Sequence, residues 1–240
     1  SSDVCSSDLI NDAGNQMDNL AASVNARYLE LLGYPSEIPE NGYHGHDIVE
    51  TAQAIIDQDG DAYLSMAEPE RLAYFKDRAY AEKLKALRQD LAAFNVHYDN
   101  WFSERTLHPD AIRAACDELK KRGKAYEKDG ALWLKSTDYG DDKDRVIIRD
   151  NGVPTYLAAD IAYHKNKYER GFKKMINIWG ADHHGYVARV KASMAALGYD
   201  PAQLEVLLLQ MVSLFRDGKP VKMSKRTGQA ITLNELIEEV

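Results

Sequence analysis

Cysteine is scarce. Cys5 and Cys116 are the two cysteines in 240 residues, and no Cys-x-x-Cys pair occurs. That excludes a disulfide scaffold and a zinc knuckle, and it fits a reducing compartment, so the cytoplasm is the expected location. No apolar run approaches the roughly 18–20 residues needed to span a bilayer, so no membrane partner is expected. Positive charge is in deficit as well: 30 Lys and Arg against 38 Asp and Glu leave −8. A chain that held nucleic acid through its overall charge would be basic, so any such contact must come from local patches. What remains is an ordinary globular balance, 45% hydrophobic and 28% charged, which excludes disordered, collagenous and coiled-coil classes. A chain this long buries about 70–75% of its unfolded surface and needs no covalent or metal staple for its core.

Residues 1–9 stand apart. Ser1-Ser2-Asp3 recurs as Ser6-Ser7-Asp8, no hydrophobic period runs through them, and the string resembles a translated sequencing adapter. They are expected to be a cloning or assembly scar outside the fold. At the other end, Glu238-Glu239-Val240 stops inside a helical pattern without a capping signal, so both ends read as cut.

Between them the pattern is mostly helical first and α/β later. Met17, Leu20, Val24, Tyr28 and Leu31 share one face of a helix over 15–32, which Gly33 closes. Asp12 is the simplest candidate for that helix's N-cap. Residues 34–47 read as a loop, 48–56 as a short helix, and Pro69 opens a long helix. Alternation at Phe94, Val96 and Tyr98 predicts a strand. Pro109 and Gly123 bracket another helix, and strands follow at 132–134 and 146–148. A helix over 156–170 then leads to the apolar strand Met175-Ile176-Asn177-Ile178-Trp179, and a second helix starts near His184. That order suggests a parallel sheet with ligands at the strand's carboxyl end. Residues 204–215 are mostly apolar and read as helix first, strand later.

The chemistry-bearing motif is Lys222-Met223-Ser224-Lys225-Arg226. From Arg216 to Arg226 there are five basic groups and one acid, in a loop set by Gly218 and Pro220. Thr232 and Glu235 form a capping box for the helix that follows. Two lysines three residues apart on a loop can bring both ammonium groups to one polyphosphate, and neutralising developing charge is most of what phosphoryl or nucleotidyl transfer requires. The bland alternative is a solvated basic loop.

This loop resembles that of class I aminoacyl-tRNA synthetases, and residues 10–240 are similar to arginyl-tRNA synthetase. The strings that carry the resemblance are Ile10 to Leu20 (INDAGNQMDNL), Val153 to His164 (VPTYLAADIAYH) and Trp179 to Tyr186 (WGADHHGY). The implied fold is α/β, a partial class I synthetase Rossmann-like catalytic domain with a mainly helical insertion. Residues 10–33 would be a catalytic-domain helix, 34–130 the insertion, and 131–240 the second half of the Rossmann-like domain. The implied function is arginine activation by ATP, with Mg2+ on the ATP, and transfer to tRNA(Arg), in a monomeric parent protein without a structural metal. The family generally activates arginine only with tRNA bound.

Roles carry over by position. Lys222 and Lys225 are the catalytic candidates, and Gly180, Asp182, Met223 and Ser224 join them as ATP-binding candidates. Tyr156 and Asp160, i and i+4 on one helix, are the family's holders of the substrate guanidinium. An acceptor-only carboxylate matches two parallel N–H donors, which a lysine ammonium cannot reproduce. Where His183 stands, many relatives carry a Gln that helps read the arginine side chain, so His183 is the arginine-binding candidate at that position, in a residue type that departs from the family's. Asn11 and Gln16 are weaker candidates, and His164 reads as a supporting residue rather than a base. Tyr43-His44-Gly45-His46 imitates the family's His-x-Gly-His motif but begins with Tyr and follows a Pro/Gly loop. The true motif and the anticodon-binding domain are read as missing, so residues 1–240 alone are expected not to charge tRNA. The basic run Lys165, Lys167, Arg170, Lys173 and Lys174 reads as a solvated helix face, with the tRNA acceptor end as the alternative. Two other readings stay open: a different class I synthetase, and a non-catalytic RNA-binding fragment.

Overall fold

A computed structural model describes residues 4–5, 8–216, 218–221 and 231–239. In chain order the elements are β1 (Val4–Cys5), β2 (Leu9–Ile10), α1 (Asn15–Leu31), α2 (His46–Asp59), α3 (Glu68–Ala93), β3 (Phe102–Ser103), α4 (Asp110–Lys121), β4 (Ala125–Lys128), β5 (Ala131–Leu134), β6 (Arg145–Ile148), α5 (Tyr156–Glu169), β7 (Lys174–Gly180), α6 (His184–Ala196), β8 (Leu204–Leu209), β9 (Phe215–Arg216), β10 (Lys219–Pro220) and α7 (Leu233–Glu239). They divide into two compact units, residues 1–11 with 100–212, and residues 12–99 with 213–240.

The first unit carries the parallel sheet, in the order β1-β7-β8. β7 pairs with β8 along its full register, from Met175 opposite Leu204 to Gly180 opposite Leu209. On one face Met175 and Leu204 are buried in a core they share with Leu157, Ile161, Val190 and Met194 from α5 and α6. The other face leaves Ile178, Leu207 and Leu209 exposed. A separate antiparallel sheet, β4-β5-β6, packs by way of Leu132, Leu134 and Ile147 into the same core.

The second unit is helical. Val24 and Tyr28 of α1, Ile48, Ala52 and Ile55 of α2, and Phe75 and Ala79 of α3 bury against each other. Tyr28 meets Phe75 edge-on at 5.0 Å, an arrangement aromatic rings prefer to face-to-face stacking. The capping box predicted ahead of α7 is present: Thr232 N–H donates to Glu235 Oε2 at 2.6 Å, and Glu235 N–H donates to Thr232 Oγ1 at 3.1 Å.

Several expectations are corrected. Phe94 to Tyr98 is not a strand: Phe94 caps α3 and Asn95 adopts φ 59°, which breaks an extended run. The segment from Leu204 is strand from its first residue, because it pairs in parallel with β7. Asp12 does not cap α1; Gly14 stands at the N-cap with φ 82°, a conformation cheap for glycine. Val4, Cys5, Asp8 and Leu9 are not outside the fold. Val4 and Cys5 pair with Lys174 and Met175, and Leu9 pairs with Phe102. Asp8, 8% exposed, bonds Arg170 at 2.9 Å, Tyr163 at 2.5 Å and Asn100 at 2.5 Å. Burial alone would raise its carboxyl, but those three donors hold it below the ordinary carboxylate range.

Candidate functional site

The carboxyl end of β7 and the starts of α5 and α6 gather the site. Thr155, extended and outside the helix, leads into α5 at Tyr156, which is 81% exposed. One turn on, Asp160 is half-buried, and burial pushes its carboxyl up to about 6. Glu104, in the turn after β3, adds to that rise. Opposing it are Tyr186 of α6, whose hydroxyl donates to Asp160 Oδ2 at 2.5 Å, and the nearby His183. Among the described residues no Lys or Arg forms an ion pair with this carboxylate.

Beneath Asp160 lies a buried polar chain. Lys167, wholly buried, donates to Asn177 Oδ1 at 3.4 Å. Asn177 Nδ2 donates to His164 Nε2 at 2.6 Å, and His164 Nδ1 donates to the Asp160 carbonyl at 2.7 Å. These bonds assign the neutral Nδ1–H tautomer, and burial lowers the imidazole to about 4. His164 therefore supports the helix and is no base at neutral pH. Burial also lowers the Lys167 ammonium, and Lys167 sits 5.2 Å from the Tyr163 ring. The solvated-face reading of the basic run is corrected at Lys167 and Arg170. The first is inside the core, and the second pairs with Asp8 between the rings of Phe102 and Phe172.

Gly180 ends β7. A Cβ there would lie 2.5 Å from Asp182 Oδ1, so any side chain would displace that carboxylate. Asp182 and His183 are exposed in the turn before α6, with His183 Nε2 3.7 Å from Asp182 Oδ2. They line a cavity of about 660 Å³ with Tyr186, Arg189, Arg145 and Asp142. His183 and Tyr186 both lie beside the Trp179 ring, at 6.3 and 5.8 Å. Asp160, Asp182, His183 and Gly180 are thus brought to one region, with Tyr156 at the start of the same helix. Asn11 and Gln16 are both exposed and belong to different units. Lys222, Met223, Ser224 and Lys225 lie outside the described residues. Tyr186 was missed as a site residue: it stands inside a string quoted for its resemblance, but nothing in its spacing points to Asp160, 26 positions earlier.

The family profile "tRNA synthetases class I (R), catalytic domain" matches residues 63–240. The chain belongs to this family. It is 56% identical to an arginine–tRNA ligase of Carboxydothermus hydrogenoformans over 232 residues, 96% of this chain and 42% of that protein. A Moorella thermoacetica arginine–tRNA ligase matches at 56% identity, over 96% of this chain and 41% of that protein. A Campylobacter jejuni structure assigned to arginyl-tRNA synthetase superposes with a TM-score of 0.86 at 42% identity, over 96% of this chain and 50% of that one. Thermus thermophilus arginyl-tRNA synthetase, at 17% identity and a TM-score of 0.63, shares the fold. The chain therefore spans less than half the length of the curated relatives it matches, and its class is the expected α/β. No helix among the described residues is long and apolar enough to cross a membrane.

Proposed function

We propose that this chain is the amino-acid-selecting segment of an arginine–tRNA ligase. Arginine's carboxylate attacks the α-phosphate of ATP, bound with its Mg2+, and pyrophosphate leaves. A ribose hydroxyl of tRNA(Arg) then attacks the arginyl carbonyl and AMP leaves. In this reading Asp160 takes the guanidinium, with Tyr156 and His183 beside it, Gly180 and Asp182 face the nucleotide, and Lys222 and Lys225 neutralise the polyphosphate. Met223 and Ser224 belong to the same ATP-binding motif, and Asn11 and Gln16 are peripheral. Residues 34–130 serve as a mainly helical insertion and 131–240 as the second half of a Rossmann-like domain.

One observation carries the reading: a half-buried carboxylate that the described residues supply with a hydroxyl donor and the nearby His183, but with no Lys or Arg ion pair. A buried carboxylate without a cation is costly, and a guanidinium, planar and always charged, is the group best matched to it. The names of the relatives favour arginine over another amino acid and over a non-catalytic role. The test is aminoacylation by the full-length protein that carries this segment, with ATP, tRNA(Arg) and each of arginine, lysine and glutamate. Charging with arginine alone is expected; equal charging with lysine would overturn the assignment of Asp160.

A further inference from the structure

The bond between Tyr186 and Asp160 goes beyond the proposed roles. Tyr186 sits in the first turn of α6, and Asp160 in the second turn of α5. Its hydroxyl reaches Oδ2 of the carboxylate at 2.5 Å. Its ring is itself held, with the Trp179 ring centroid at 5.8 Å and the Arg189 guanidinium 4.8 Å above it. Arg189 Nε is buried and makes no hydrogen bond among the described residues. The same tyrosine forms part of the cavity wall between Asp182 and Arg189.

We infer that Tyr186 is a positioning residue for guanidinium recognition. It fixes the Asp160 carboxylate in one orientation before the substrate arrives. The hydroxyl occupies one of about four lone-pair sites on the carboxylate, which leaves room for a two-bond fork. A fixed acceptor loses less freedom when the fork docks, so affinity and selectivity both rise. From the other side, the buried chain Lys167, Asn177 and His164 holds the backbone carbonyl of the same residue. Asp160 is thus held at its main chain and at its side chain, by two separate sets of groups.

The inference rests on the reading of Asp160 as the guanidinium acceptor. It is tested in the full-length ligase with Tyr186→Phe, which keeps the ring against Trp179 and Arg189 and removes only the hydroxyl. The KM for arginine is expected to rise about tenfold, the loss of one hydrogen bond to a charged group, with a smaller change in kcat. The acid limb of kcat/KM for arginine is expected to move to higher pH. The ionised carboxylate would then have lost its hydroxyl donor while still facing Glu104 from the turn after β3 and His183 from the turn before α6. Because His164 stays neutral, it contributes no charge to that limb. In the double variant Tyr186→Phe with Asp160→Asn, the KM is expected to match that of Asp160→Asn alone, since the two act through one contact. An unmoved acid limb, whether or not kcat or thermal stability falls, makes Tyr186 a packing residue and overturns the inference. Losses that simply add in the double variant do the same. A wild-type protein that does not charge arginine overturns the reading underneath and so is distinguishable from either result.

Discussion

Asp141 and Asp160 are two carboxylates of the same unit, and they have met different ends. Asp141 is buried and receives a guanidinium from within the chain: Arg145 Nε and Nη2 donate to its two oxygens, each at 2.8 Å. That bidentate bond, helped by neighbouring donors and despite burial, holds the carboxyl well below the ordinary range. Asp160 is also withdrawn from water, receives one hydroxyl, and has its carboxyl pushed up to about 6. The difference separates a carboxylate already paired within the chain from one with room for a further donor. A carboxylate whose fork is already filled closes a local structure, here the turn between β5 and β6. One that is desolvated and paired with no Lys or Arg among the described residues carries a cost that an incoming guanidinium would remove.

The largest expected effect breaks the comparison at Asp160. In the full-length protein, Asp160→Asn is expected to raise the KM for arginine about a hundredfold or more, the loss of a charge-assisted pair contributing roughly 2–5 kcal/mol. Steady-state aminoacylation kinetics read this directly, and unchanged arginine kinetics would remove Asp160 from the site. The converse change is Arg145→Met. It leaves Asp141 buried without its cation and is expected to cost about 3 kcal/mol of folding stability in urea titration. A stable variant would show that the Asp141–Arg145 pair is only decorative.

A smaller effect sharpens the contrast through pH. The Asp160 carboxyl is raised on folding, so its contribution to stability is full below its unfolded value of about 4 and is lost as pH climbs through about 6. Asp160→Asn should therefore become more stable relative to wild type across that window, by up to about 3 kcal/mol, and then level off. Asp141 has the opposite sign: its depressed carboxyl stabilises the fold above about 4 and is lost only in stronger acid. Urea titrations at several pH values check both signs.

Much of this was legible in the sequence, for identifiable reasons. Helices α1 and α3 announce themselves by period, and the capping box before α7 by two residues three apart. The pairing of Tyr156 with Asp160 on one helix face follows from spacing alone. The strand β8 was not legible, because Glu205 is the one polar residue in Leu204–Leu209, and a nearly continuous apolar run has no period that separates strand from buried helix. Lys167 reads as one more surface lysine until the fold puts Asn177 and the Tyr163 ring beside it. The contacts that distinguish Asp160 from Asp141 are of two kinds. Arg145 lies four positions from Asp141, within reach of a local reading, whereas Tyr186 approaches Asp160 only when α5 packs on α6.

The central claim is that the Asp160 carboxylate waits, half-neutral near pH 6, for a guanidinium. The most direct test is the carbon-13 shift of its side-chain carboxyl, followed through a pH titration of protein labelled at aspartate carboxyl carbons and assigned with Asp160→Asn. Without arginine the midpoint is expected at about 6. With saturating arginine it should fall below the ordinary carboxylate value of about 4, as the guanidinium favours the charged form. A midpoint that is the same with and without arginine would contradict the account.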